Sequence, residues 1–205
     1  AQESRGLGDV YKRQVVRDSP ALGRFEIMTT AFFDVDTQLD FVAPAGALYV
    51  PGAERIVPAV ARLNRWAAAH GIPLISTMDA HAENDPEFQR WPPHCVKGTL
   101  GQRKPEATRV SGAAQIVFEK TTVDVFAERG IASVLERIGA QRYVVYGVVT
   151  EICVRLAALG LLKTGKPVTV VRDAVQCLDV AQAEAFFEEL HRAGGGLTTL
   201  AEIGA

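Results

Sequence analysis

Residues 143–158, YVVYGVVTEICVRLAA, constrain this chain more than any other stretch. An unbroken apolar run, Tyr143 to Tyr146, stops at Gly147, and a helical pattern resumes after Glu151. A strand apolar on both faces belongs inside a parallel sheet covered by helices, and this one hands over to a helix through a sharp turn. Cys153 falls at that turn, in the first turn of the expected helix. A thiol there meets the positive end of the helix dipole, which favours the thiolate and makes it nucleophilic near neutral pH. Most free cysteines are small buried hydrophobes instead, so this stretch by itself leaves both readings open.

The rest of the chain repeats the same grammar. Short apolar runs at Thr30–Val35, Pro73–Met78, Gln115–Phe118, Arg142–Tyr146, Val168–Val171 and Leu197–Leu200 read as strands. Between them, Glu54–His70, Ile131–Ile138, Cys153–Leu162 and Ala181–Arg192 carry helical spacing, with Gly71, Gly139, Gly165 and the run Gly194–Gly196 as stops. Alternation of this kind implies right-handed crossovers. The expected fold class is α/β, a three-layer doubly wound fold with a mostly parallel sheet of about six strands. Residues 1–28 show neither period and read as a tail outside the fold, the part before Val15 as foreign to the native chain. Residues 29–205 read as one domain.

Composition narrows the partners. A net charge of −2 over 205 residues offers no electrostatic reason to expect nucleic acid or an anionic membrane. No apolar run reaches the roughly 20 residues of a membrane span, and no signal-peptide pattern opens the chain. Cys95, Cys153 and Cys177 lie too far apart in sequence for a disulfide framework and fit a reducing cytoplasm. The basic cluster Arg103, Lys104, Arg109, interrupted by Pro105 and Glu106, reads as a solvated loop.

In open parallel sheets ligands bind outside the carboxyl ends of the strands. Asp36, Asp79, Lys120 and Cys153 each fall just past the end of an expected strand, so four reactive groups converge on one crevice. Asp36 can take the proton of Cys153 while Lys120 holds the charges in register, an activated-nucleophile arrangement. Singly, Asp36 also reads as a turn cap and Lys120 as a surface lysine. The long irregular segment from Asp79 to about Ala114 holds His81 and His94, two of the four histidines, with Asp79, Glu83, Asp85 and Glu87. Imidazole with carboxylate suits zinc, iron or manganese, and a solvated acidic loop is the plainer alternative. Phe41 and Trp91 adjoin these motifs, either as core residues or as two faces for a flat ring. Asp173 and Cys177 read as a cap and as packing, and His70 and His191 as helix ends.

VDTQLDF, MDAH, WPPHCVKGT, FEK and GVVTEICV, in this order, resemble the isochorismatase-like cysteine hydrolases and, within them, the nicotinamidase branch. The resemblance runs from about Thr30 to the C-terminus. It implies a metal-dependent cysteine amidohydrolase that cleaves a linear amide, nicotinamide to nicotinate and ammonia, through a thioester. Asp36 matches the family's base, Lys120 its lysine and Cys153 its nucleophile. The amides of Val149 and Cys153 match the oxyanion hole, with a cis peptide at Val148–Val149. Asp79, His81 and His94 match the ligands of one divalent metal, zinc ahead of iron or manganese, and Glu87 stands where some relatives add a carboxylate. Phe41 and Trp91 match the residues flanking the pyridine ring. The partner is then a small amide, with neither nucleic acid nor membrane, and a homo-oligomer is compatible because relatives are often oligomers. Three departures bear on the substrate: Glu151 where the family usually has Asp, TTVDVF after Lys120, and LGQRKPEATRV in the long loop. The alternative within the class is another small carboxamide or carbamoyl compound.

Overall fold

In the computed structural model, which describes residues 29–110 and 115–205, six parallel strands form one sheet in the order β3-β2-β1-β4-β5-β6. The strands are β1 (Thr30–Val35), β2 (Leu74–Asp79), β3 (Gln115–Lys120), β4 (Arg142–Val148), β5 (Val168–Gln176) and β6 (Gly196–Thr198). The main helices are α1 (Val57–Ala69), α2 (Ile131–Ile138), α3 (Arg155–Leu162) and α4 (Val180–Arg192). The N-terminal tail expected for residues 1–28 lies outside the described residues.

Period-two alternation sorts the strand side chains into two cores. Ala31, Phe33 and Val35 of β1 pack with Tyr143 and Val145 of β4 under α2, α3 and α4. Phe32, Leu74, Val144 and Tyr146 face the other way, against Val60, Leu63 and Ala67 of α1. Strand order reverses between β1 and β4, the place where a doubly wound sheet leaves a crevice. Gly147 makes that join possible. Its φ is +122°, and a Cβ there would stand 2.0 Å from the Val35 carbonyl oxygen. Any side chain would push β4 off β1 at the level of the turn that carries Cys153.

The expected elements are all present, with altered bounds. The pairing of β4 with β5 shifts register after Val145, and Gly147 then faces Val175, which lets β5 continue to Gln176 rather than stop at Val171. Asp173 consequently sits inside β5, and its carboxylate accepts the Leu200 N–H at 3.0 Å. The last strand ends at Thr198, not Leu200, because Thr199 and Glu202 form a capping box that starts a helical turn, Leu200–Ile203. A 3₁₀ turn, Ala53–Ile56, precedes α1. Cys153 lies in a π-helical turn, Thr150–Val154, ahead of α3 rather than in the first α-turn. Asp79 and Lys120 are the last residues of their strands rather than residues past the strand ends, because β2 and β3 run on beyond Met78 and Phe118.

One reading is overturned. Lys104 is not solvated: it is 5% exposed, and its ammonium stands 2.9 Å from Asp34 Oδ2 and donates to Thr37 Oγ1 at 2.6 Å. Asn64 of α1 donates to the same Asp34 Oδ2 at 2.9 Å and accepts from the Tyr146 hydroxyl at 2.6 Å. The long loop is thereby nailed to the α1 face of the sheet by a charge that its local sequence presents as a surface lysine.

Candidate active site

At the carboxyl end of the sheet the expected residues come together. Asp36 follows β1 with φ +50°, in the left-handed region, which costs a non-glycine residue about 1–3 kcal/mol. It is held there by Thr77, whose hydroxyl donates to Asp36 Oδ1 at 2.7 Å. Lys120, buried at the end of β3, lies 2.9 Å from Asp36 Oδ2, pairs with Asp79 Oδ1, and donates to the Thr122 carbonyl at 3.0 Å. One ammonium therefore joins the carboxylate beside Cys153 to the carboxylate beside the histidines.

The electrostatics follow from burial set against this cation. Burial pushes the Asp36 carboxyl above its usual range, with Lys120 opposing. Burial also works to raise Asp79, but the Lys120 charge, with the His81 and His94 imidazoles beside the carboxylate, outweighs it and holds that carboxyl well below the usual range. Burial works to lower the Lys120 ammonium, and the charges of Asp36, Cys153 and Asp79 reverse the sign, so it stays protonated. Cys153 is buried, and that pushes its thiol well above the ordinary value even with Lys120 pulling the other way. The helix-end argument for a resting thiolate is thus overridden by desolvation.

Asp79, His81 and His94 offer ligand atoms that all lie within 4.8 Å of one another, and all three residues are buried. The donors are those a divalent transition metal accepts. His94 Nδ1 lies 2.7 Å from the Pro92 carbonyl, which fixes the proton on that nitrogen and leaves the Nε2 lone pair directed toward Asp79. His81 Nε2 is buried without a hydrogen-bond partner, and its Nδ1 lies 3.1 Å from Asp85 Oδ2. An orphaned buried imidazole nitrogen facing a carboxylate fits a cation between them. Glu87 stands outside this trio but lines the same cavity, half-buried, with burial raising its carboxyl.

That cavity, of about 60 Å³, brings Phe41, Trp91, His94, Val149 and Cys153 together, and the Val148–Val149 peptide beside it is cis. A groove of about 970 Å³ along α2 and α3 lies elsewhere and includes none of these groups. Cys95 is fully buried, and burial pushes its thiol up, so it is packing rather than a second reactive sulfur.

Several supports have no signature in the sequence pattern. The side-chain amide of Gln38 clamps the Asp79 backbone and also donates to the Gln102 carbonyl at 2.9 Å. Asp40 Oδ2 accepts the Cys95 N–H at 2.7 Å, and His81 and Val96 form a bridge that continues the sheet into the loop. Phe88 packs on both imidazoles, with ring centroids 5.4 Å from His81 and 5.7 Å from His94. VDTQLDF gave the first two a place in the resemblance without a role.

A doubly wound parallel sheet with cysteine, lysine and aspartate around its switch point, next to an Asp-His-His cluster, defines a class of three-layer α/β protein rather than one enzyme. The chain belongs to the isochorismatase family: the profile of the isochorismatase domain matches residues 30–202. It is 26% identical to a nicotinamidase of Escherichia coli over 200 residues, covering 82% of this chain and 93% of that protein. A zinc complex of the pyrazinamidase of Pyrococcus horikoshii superposes with a TM-score of 0.77 at 31% identity, covering 83% of this chain and 99% of the other. The N-carbamoylsarcosine amidase of Thermoplasma acidophilum superposes with a TM-score of 0.73 at 28% identity, covering 84% and 96%. Among the described residues no helix is long and apolar enough to cross a membrane.

Proposed function

We propose that the protein is a metal-dependent cysteine amidohydrolase whose substrate is a small, uncharged aromatic carboxamide, nicotinamide first among them. The observation that carries this reading is the lining of the cavity next to Cys153. Phe41, Leu48, Val50, Trp91 and Ile152 surround it, and its charged neighbours, Asp79 and Glu87, are acidic. Lys120, the nearest cation, is already engaged by two carboxylates. A flat, uncharged ring fits between these apolar walls with Phe41 and Trp91 on either side, which sets nicotinamide ahead of a carbamoyl amino acid.

Asp36 takes the proton of Cys153, and Lys120 stabilises the carboxylate and the emerging thiolate without giving up its own proton. The sulfur attacks the carboxamide carbon, and the negative oxygen forms against the amides of Val149 and Cys153. Removing one such donor typically costs about 10²-fold or more in rate. Asp36 returns its proton to the departing ammonia, leaving a thioester. It then takes a proton from water, whose oxygen attacks the thioester carbon; expulsion of the sulfur releases the carboxylic acid and restores the thiol. Asp79, His81 and His94 would hold the metal, with Glu87 the candidate fourth side chain. When bound, the metal supplies a Lewis acid for a ring nitrogen and so a template for orientation. Phe41 and Trp91 close on the two faces of the ring.

Ammonia release from nicotinamide by the purified protein tests the reading, with chelation, zinc add-back and Cys153→Ala as controls. Chelator-sensitive release that vanishes in the variant supports it. No release from zinc-loaded protein would reject nicotinamide, and turnover in Cys153→Ala would reject the cysteine mechanism.

A further inference from the structure

The cavity beside Cys153 is closed on one side by a residue from a different part of the chain. Leu178, between β5 and α4, lines it together with Ile152 and Cys153, yet is 50% exposed. A large apolar side chain half in water is not held there by burial of its own. Its backbone is held by Glu151. The Glu151 Oε1 accepts the N–H of Leu178 at 2.9 Å and that of Asp179 at 2.8 Å, across 27 and 28 residues. Asp179 then caps α4, its Oδ1 accepting from Ala181 at 2.8 Å and Gln182 at 3.1 Å. On the other side of the same short connection, Gln176 Nε2 donates to the Pro51 carbonyl at 2.9 Å, next to Val50 of the cavity wall. The connection has three residues, Cys177 to Asp179, and is fixed at both ends.

We infer that Leu178 sets the upper size limit on the substrate's ring, and that Glu151 is the positioning residue that holds it over the cavity from two residues before Cys153. Charge-assisted bonds from a carboxylate to two adjacent peptide N–H groups hold that backbone more firmly than neutral contacts would. A side chain one methylene shorter at position 151 must either draw the connection inward or release it. The consequence is selectivity: an unsubstituted six-membered ring is accepted, and a ring with a group on its distal edge meets Leu178. The inference rests on the proposal that Cys153 is the reacting group, and on no particular amide.

The test is size-graded alkylation of Cys153, read by peptide mass spectrometry so that Cys95 and Cys177 are counted separately. Iodoacetamide and its N-phenyl derivative are compared at one pH, and hydrolysis of nicotinamide and 5-methylnicotinamide is measured in parallel. Leu178→Ala is expected to raise the large-to-small labelling ratio about tenfold, the scale of selectivity that a small change in an apolar pocket commands. Glu151→Ala is expected to move the ratio the same way, and Glu151→Gln, whose carbonyl keeps an acceptor at the same reach, to restore most of it. A ratio within twofold of wild type in Leu178→Ala overturns the inference. Equal slowing of both reagents in Glu151→Ala overturns the part assigned to Glu151. A shifted ratio in a protein that releases no ammonia from nicotinamide upholds this inference while rejecting nicotinamide as substrate.

Discussion

The side-chain amide of Gln38 brackets the peptide of Asp79, accepting its N–H at 2.6 Å and donating to its carbonyl at 2.8 Å. Position 38 thereby controls where the Asp79 carboxylate points, although it is 41 residues away in sequence. Replacing Gln38 by Ala leaves both backbone groups buried without this partner. Partners of this kind, once removed, typically cost metal sites about 10–100-fold in affinity. We expect that loss for zinc in Gln38→Ala, measured by competition with a coloured chelator. Unchanged affinity would mean that the strand alone orients Asp79.

Lys120 neutralises two buried carboxylates, so its loss should be felt first as instability. Breaking a buried pair by removing one member costs about 3–5 kcal/mol. Lys120→Met is expected to fall in that range by urea unfolding, and to recover part of it when Asp36→Asn is added. A cost below about 1 kcal/mol would show that water or a mobile side chain replaces the ammonium.

Lys104→Met offers the contrasting case. A solvated lysine would change stability by less than about 0.5 kcal/mol. The pair with Asp34 predicts several times that, measured as a shift in the urea midpoint at constant slope. The loop carrying Lys104 also supplies Gln102 to the Gln38 clamp, so zinc affinity should weaken in the same variant.

Cys153 should titrate as a buried thiol. Its proton is held by desolvation, so alkylation by iodoacetamide should be slow at pH 7 and keep rising above pH 9. In Lys120→Met the rise should move to still higher pH, because the ammonium that favours the thiolate is gone. A rate that reaches its plateau below pH 7 would restore the helix-end thiolate expected from the sequence.

Removing metal should soften the long loop. Any ligand that binds only the folded state stabilises by about 2.7 kcal/mol at 100 times its Kd. Zinc at that excess is expected to raise the melting temperature of the wild type and to leave that of Asp79→Asn unchanged, as read by calorimetry. Equal shifts in both would point to binding elsewhere.

The strand ends, and the reactive residues on them, were legible because periodicity and chemistry coincide there. Asp36, Asp79, Lys120 and Cys153 each fall at or shortly after the end of a run whose apolar pattern marks a strand. What was not legible is what joins distant segments. Lys104 has the local surroundings of a surface residue, and only the Asp34 carboxylate, from a strand far back in the chain, makes it a buried one. Gln38 and Glu151 likewise act through backbone groups 27 to 41 residues away, which no window of sequence contains. The extension of β5 depended on a register shift at Gly147, a matter of close approach rather than of propensity.

The sheet order carries a further consequence. Lys120 and Asp79 end β3 and β2, Asp36 follows β1 and Cys153 lies in the turn after β4, four adjacent strands that the chain visits in a different sequence. No contiguous fragment shorter than residues 36–153 contains all four groups, and none that omits β1 can align the other three. Turnover would therefore serve as a reporter of completed assembly. Two halves cut within the crossover between β3 and β4 would be silent apart and would regain activity only on re-association.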